Sequence, residues 1–291
     1  MLVNMKEILE DAIANHYAVV SVNCPNFETA AAVVRAAERL QVPAILNHAE
    51  GHEDTIALED IAPVLISLAE RARVPIAVHI DHGLTRPFLM RAIRGGFTSI
   101  MYDCSMLSFE ENMRKLKAFV DEVRPLGISV EAELGKMLYN IPHFKANDSF
   151  ETIERIEDTF TDPIAAGEFA KVTGVDALTV SFGSMHGTYP APPKLDINRL
   201  DQIRRACGCA LVMHGASGID GEQLRRSVRH GVAKVNYYTA MATAPQTAIE
   251  NILRMRNDTP VLFHEISRIA TEVMYQEILA VMDMLANPTV G

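Results

Sequence analysis

Tryptophan is absent from the 291 residues, and aromatic side chains make up only 6%. A core must therefore come from aliphatic side chains, and the 48% of hydrophobic residues supplies one. Cysteine is scarce. Cys24, Cys104, Cys207 and Cys209 match neither a zinc-finger nor a CxxC redox spacing. Cys207 and Cys209 lie too close in sequence to suggest a disulfide, so buried free thiols are expected. Positive charge is in deficit: 27 Lys and Arg against 37 Asp and Glu leave a net −10. That excludes a broad basic surface for nucleic acid, while leaving room for a local site that takes a small anion. No apolar run approaches the roughly 20 residues that span a bilayer. Lys6, Glu7, Glu10 and Asp11 sit in a helical pattern at the N-terminus, which does not read as a signal peptide. A cytoplasmic protein with no membrane partner is expected.

What is present is a rhythm. Short apolar runs begin near Ala18, Pro43, Val74, Thr98, Ile128, Ala177, Ala210 and Ala233, and helical patterns separate them. Ser108 reads as one N-cap, and Asp162 before Pro163 as another. Strict alternation predicts an α/β fold, a (β/α)8 TIM barrel with extra N- and C-terminal helices. Residues 1–291 are expected to form a single domain, with a C-terminal helical extension over about 259–285. An open doubly wound sheet is the alternative. It would carry a Gly-rich fingerprint after its first strand, where Asn23-Cys24-Pro25-Asn26 stands instead. The stretch from Gly135 to Phe160 breaks the rhythm with no clean period, which suggests a functional loop. A single helix is expected from Thr239 to Met255.

Three strand-like runs end in the same way. Val78-His79-Ile80-Asp81-His82-Gly83, the run through Ser184-Met185-His186-Gly187, and Met213-His214-Gly215 each deliver a His followed by Gly. A barrel keeps its chemistry at the C-terminal ends of its strands. His82, His186 and His214 are therefore candidates for one three-imidazole metal site with an open position. A lone strand-end His is more often structural, but three at equivalent ends argue for a shared site. Asp81 beside them is the candidate proton-transfer carboxylate, or a group that orients an imidazole. Glu131 and Glu133, two apart on one strand face, are expected to look inward, Glu133 as an alternative ligand or a support for one. Loops after strands seven and eight often bind phosphate in barrels. Here they offer Gly215, Ser217, Asn236 and Thr239.

The ordered motifs HIDHG, VEAELG, TDP, TGVDALTVSFGSMHGTY, PKLD, LVMHGASGI and GVAKVNYYT span nearly the whole chain. Together they resemble the class II, metal-dependent ketose-bisphosphate aldolases, among them the fructose- and tagatose-bisphosphate enzymes. The resemblance implies a lyase that cleaves a phosphorylated ketose to a dihydroxyacetone-phosphate-type product and an aldehyde. It implies Zn2+ on His82, His186 and His214, Glu133 beside them, and Asp81 as the acid/base at the C4 hydroxyl. Asn23, Gly187, Gly215, Ser217, Asn236 and Thr239 match substrate and phosphate contacts, and backbone around Gly187 and Gly215 a Na+ or K+ site. Apart from the resemblance, a homodimer or homotetramer is expected, with the C-terminal helix, rich in Ile, Leu and Met, suggesting a subunit contact. Three departures mark a divergent member. Lys136-Met137-Leu138-Tyr139 follows VEAELG in place of Gly-Gly and an acidic loop, Pro190 stands where a Lys is usual, and Tyr237-Tyr238 is bulky. Tyr139, His143 and Glu151 are the candidates for the missing second proton donor. The rival readings are a Schiff-base aldolase using Lys234, a metal-dependent hydrolase, and a sugar-phosphate-binding barrel that has lost turnover.

Overall fold

The computed structural model describes residues 1–140, 156–256 and 259–288. Eight parallel strands close into a barrel: β1 (Val19–Asn23), β2 (Ala44–Ala49), β3 (Ile76–Gly83), β4 (Ser99–Tyr102), β5 (Ser129–Leu134), β7 (Ala177–Val180), β9 (Ala210–Met213) and β10 (Val232–Asn236). Their order around the barrel is β1-β10-β9-β7-β5-β4-β3-β2, so β1 seals against both β10 and β2. The two remaining strands, β6 (Tyr139–Asn140) and β8 (His186–Gly187), form a separate two-stranded ladder. No described helix is long and apolar enough to cross a membrane.

Helices α2 (Phe27–Leu40), α3 (Leu58–Arg71), α4 (Arg86–Arg94), α5 (Phe109–Val123), α6 (Pro163–Thr173), α7 (Ile197–Ala206) and α8 (Gly221–Arg229) ring the barrel. Both expected caps form. The Ser108 side chain accepts from Glu111 N, and Asp162 Oδ1 accepts from Ile164 N and Ala165 N at 2.9 Å each. The expected single helix after β10 is divided into α9 (Thr239–Thr243) and α10 (Pro245–Arg256). Pro245 is the reason, since it has no N–H for the intrahelical ladder. Helix α11 (Phe263–Ala286) lies against α2, burying Met274, Ile278, Val281, Met282 and Leu285. Arg35 and Tyr237 bind its Glu272 and Glu277.

The barrel interior is layered. At the floor, α1 (Met5–Asn15) inserts Met5, Ile8, Leu9 and Ala12 against Val19, Ile45, Ala77, Ala177, Val212 and Ala233. Above this apolar plug the lumen turns polar. Ser21 donates to Asn47 Oδ1 at 2.8 Å, and His79 Nδ1 meets Ser99 Oγ at 2.9 Å. Glu131 reaches from β5 across the lumen to β10, where Lys234 Nζ donates to it at 2.8 Å; both side chains are 0% exposed. Burial would raise the Glu131 carboxyl, but Lys234 and the His214 hydrogen bond outweigh it and hold the group well below the usual carboxylate range. His79 beside it is pushed down to about 3 by burial and then by Lys234, and so stays neutral.

Breaking one side of a buried ion pair leaves an uncompensated charge. Lys234→Met is therefore expected to destabilise the fold by about 3–5 kcal/mol in urea unfolding. Adding Glu131→Gln to it is expected to recover part of that loss. Equal midpoints for wild type and Lys234→Met would show that the pair does not bear on stability.

Candidate metal and carboxylate site

The site begins where β3 stops behaving as a strand. Successive strand side chains point to opposite faces, yet Asp81 and His82 both face the barrel mouth. Two features make this possible. The β3–β4 register slips between Ile80 and Gly83, and His82 itself lies in the left-handed region at φ 45°. The other non-glycine residues with positive φ, His16 and Gln41, are both helix C-caps. His82 is not at a helix end, so the strain is local to the site. Gly83 follows because a Cβ there would collide with Leu89 of α4.

His82, His186 and His214 come together as the sequence led one to expect. Their ring centroids are 4.9 to 5.5 Å apart, and one nitrogen from each lies within 4.8 Å of the others. One expectation about their delivery is corrected. His186 does not end a barrel strand: β7 stops at Val180, and His186 is carried by β8, which pairs with Tyr139 and Asn140 of β6. The chain has turned away by then, at Gly183 (φ 121°), where a side chain would press on the Lys194 carbonyl.

The donor set fits a divalent cation. Asp103 Oδ2 accepts from His82 Nδ1 at 2.7 Å, which directs Nε2 inward. Glu131 and Thr179 engage His214 Nε2 at 3.1 and 3.2 Å, which directs Nδ1 inward. Those two inward nitrogens face each other at 3.0 Å. Two imidazole lone pairs at that distance repel unless a proton or a cation lies between them. Burial opposes a charged His82, but Asp81, Asp103 and Glu133 raise it to about 10. The same carboxylates would favour a cation in the proton's place. A second grouping, His82 with Asp103 and Glu133, shares the first imidazole and could also hold a metal. Glu133 is buried and its Oε2 has no hydrogen-bond partner among the described residues. Burial and then Asp103 push its carboxyl well above the ordinary range.

Asp81 is 3% exposed and clamped from two strands. Asn23 Nδ2 on β1 donates to Oδ2 at 2.7 Å, and Asn236 Nδ2 on β10 donates to Oδ1 at 3.0 Å. Burial would raise its pKa, but His82, His214, Lys234 and the Asn23 hydrogen bond hold it well below the usual range. Asp81 is therefore a carboxylate with both oxygens aimed. Asn23 and Asn236, expected as substrate contacts, meet Asp81 in this structure, and their buried Oδ1 atoms have no partner among the described residues.

The remaining predicted residues surround the imidazoles on the β8–β10 side. Gly215 has φ 69°, and a Cβ there would collide with the Met185 carbonyl, so this approach needs glycine. Ser217 Oγ accepts from Ala240 N at 3.1 Å, tying the loop after β9 to α9, which Thr239 opens. Gly187 pairs with Asn140 in the small ladder. Of the proposed second donors, His143 and Glu151 lie outside the described residues, as does the side chain of Tyr139.

Two residues escaped the sequence reading. Asp103 follows β4, and its signal was available: it is an acid at a strand end, like Asp81. Tyr189 donates to Gly215 O at 2.7 Å and accepts from Met185 N at 2.9 Å, so one hydroxyl holds the His186 and His214 loops together. Lys234 is also placed differently from its alternative role. Its Nζ is buried beneath the mouth and donates to Glu131 at 2.8 Å.

Relatives carry the same architecture. Residues 3–287 match the model of the family described as fructose-bisphosphate aldolase class-II. An uncharacterized protein of Escherichia coli K12, YdjI, is 34% identical over 265 residues, 91% of each chain. The crystal structure of the YdjI aldolase from that strain superposes with a TM-score of 0.85 at 31% identity, over 99% of both chains. A Campylobacter jejuni fructose-bisphosphate aldolase, 20% identical, superposes with a TM-score of 0.80 over 98% of this chain and 95% of its own, a likeness of fold alone. With a barrel, three converging imidazoles and a family match along almost its full length, the chain belongs to the class-II fructose-bisphosphate aldolase family.

Proposed function

We propose that the chain is a zinc-dependent aldolase that cleaves a phosphorylated ketose to a dihydroxyacetone-phosphate-type product and an aldehyde. The observation that carries this reading is the pairing of three converging imidazoles with a buried, doubly clamped carboxylate. His82, His186 and His214 would hold the ion, and Glu133 would stand beside it. When bound, a divalent ion acts as a Lewis acid toward the negative charge that develops on the ketose fragment.

The chain's own residues supply the rest. Asp81 takes the proton from the C4 hydroxyl. The electrons of that O–H bond become the aldehyde C=O, the C3–C4 bond breaks, and its electron pair stays with the C3 fragment. Asn23 and Asn236 keep the carboxylate aimed, and their free Oδ1 atoms accept from substrate hydroxyls. Asp103 and Glu131 fix which nitrogen His82 and His214 present. Gly187, Gly215, Ser217 and Thr239 supply backbone and hydroxyl donors to the phosphate, with Tyr189 keeping their loops in register. A proton returned to C3 completes the cycle.

Asp81→Asn removes the base and keeps the shape. It is expected to lower the rate of triose-phosphate release from ketose 1-phosphates by about 10²–10⁴-fold, with zinc content unchanged. Full activity in that variant would sink the assignment. His186→Ala is expected to lose zinc by elemental analysis and to fall to the activity of the chelator-treated protein. Full zinc occupancy in His186→Ala would refute the ligand set.

A further inference from the structure

One wall of the mouth takes no part in these steps. Past β2 the chain turns so that His52 meets the ring of Tyr238, their centroids 5.8 Å apart, and His48 stands 5.9 Å from His52. Tyr238 follows β10, so the cluster joins the ends of β2 and β10 above β1, which lies between them. Phe88 of α4 backs His48. His48 is fully buried, and neither ring nitrogen has a hydrogen-bond partner among the described residues. His52 Nδ1 is buried and also lacks one. Leaving such atoms unpaired costs free energy, and of the two rings His52 is the one on which the reactive carboxylate bears.

The location specifies which part of a substrate would meet them. Asp81 acts at the carbon that becomes the aldehyde, and Asp81 is the charged group that bears on His52. The phosphate-bearing half lies toward Gly187, the loop after β9 and Thr239 at the start of α9. The other half therefore extends from Asp81 along β1 and β2, under His52 and Tyr238.

The chemistry of the wall narrows the class. Asp81 bears on His52, while His48 feels His52 first and then Glu53. Among the described residues no cationic side chain hydrogen-bonds to either His48 nitrogen or to His52 Nδ1, and none stacks on Tyr238. Burial lowers both imidazoles, His48 to about 4, and raises the Tyr238 phenol, so all three are neutral at neutral pH. A neutral imidazole offers one donor and one acceptor, and a phenol does both. That suits hydroxyl groups. A phosphate would call for cations or a fork of N–H donors.

We propose that His52 and Tyr238, with His48 behind them, form the subsite for the aldehyde half, and that this half is an uncharged polyhydroxylated chain without a phosphate. The proposal rests on the aldolase reading above. It makes the substrate a ketose 1-phosphate, as opposed to a bisphosphate.

Condensation by the zinc-loaded protein tests it, with dihydroxyacetone phosphate as donor and glyceraldehyde or glyceraldehyde 3-phosphate as acceptor. Glyceraldehyde is expected to give the higher kcat/KM, by about tenfold or more. His52→Ala and Tyr238→Phe are expected to raise the KM of glyceraldehyde by about tenfold, the loss falling on the aldehyde's KM and not on that of dihydroxyacetone phosphate. His52→Gln keeps a neutral donor and acceptor and is expected to retain the preference, which separates recognition from a folding defect. Exchange of the dihydroxyacetone phosphate C3 proton with deuterated solvent, followed by NMR, needs no aldehyde and reports on the aldolase reading alone. Exchange together with equal or better use of glyceraldehyde 3-phosphate overturns the subsite. No exchange in the zinc-loaded protein overturns the aldolase reading and the subsite with it.

Discussion

The carboxylate of Glu131 is the hinge of this structure. It stands inside the lumen with no exposure, receives Lys234 from across the barrel, and receives Thr179 and His214 from β7 and beyond β9. An ionised group in that position is tolerable only when matched and hydrogen-bonded. Through it the pairing of Lys234 and the tautomer of His214 are set together, while burial and then Lys234 keep His79 neutral beside it. The floor of the site is thus a polar network on an apolar plug, whereas many such barrels fill the lumen with branched aliphatic side chains.

Above that floor the geometry is obtained through close backbone approach. His82 accepts a left-handed conformation that costs an L-residue energy, because the position needs both that turn and an imidazole. Gly83 and Gly215 leave out side chains that would meet Leu89 and the Met185 carbonyl. Tyr189 then fastens the two loops that such turns produce. The reactive side chains each have a partner: Asp81 in Asn23 and Asn236 from β1 and β10, His82 in Asp103 after β4, and His214 in Glu131 on β5.

Much of this was legible before the structure. The alternation of apolar runs and helices predicted the barrel, since each element repeats its own period. Asp81, His82 and His214 stood out because titratable groups closed apolar runs. The path of His186 was misread because a run that looks continuous to Gly183 bends away at Val180, and the pairing of β8 with β6 is not local. Glu131 was read as inward, but its partner Lys234 is 103 residues away, and only closure of the ring defines which strands face each other across it. Tyr189 gave no signal of its own, because its role is to bind two backbones that sequence does not show to be neighbours.

The plug formed by α1 has a consequence for traffic. Met5, Ile8, Leu9 and Ala12 close the lower end of the lumen, so whatever reaches the Asp81 and His82 end comes and goes through the mouth between the strand-end loops. Two molecules bound there together share that one entrance. The shared entrance is imposed by a helix that contributes no residue to the site.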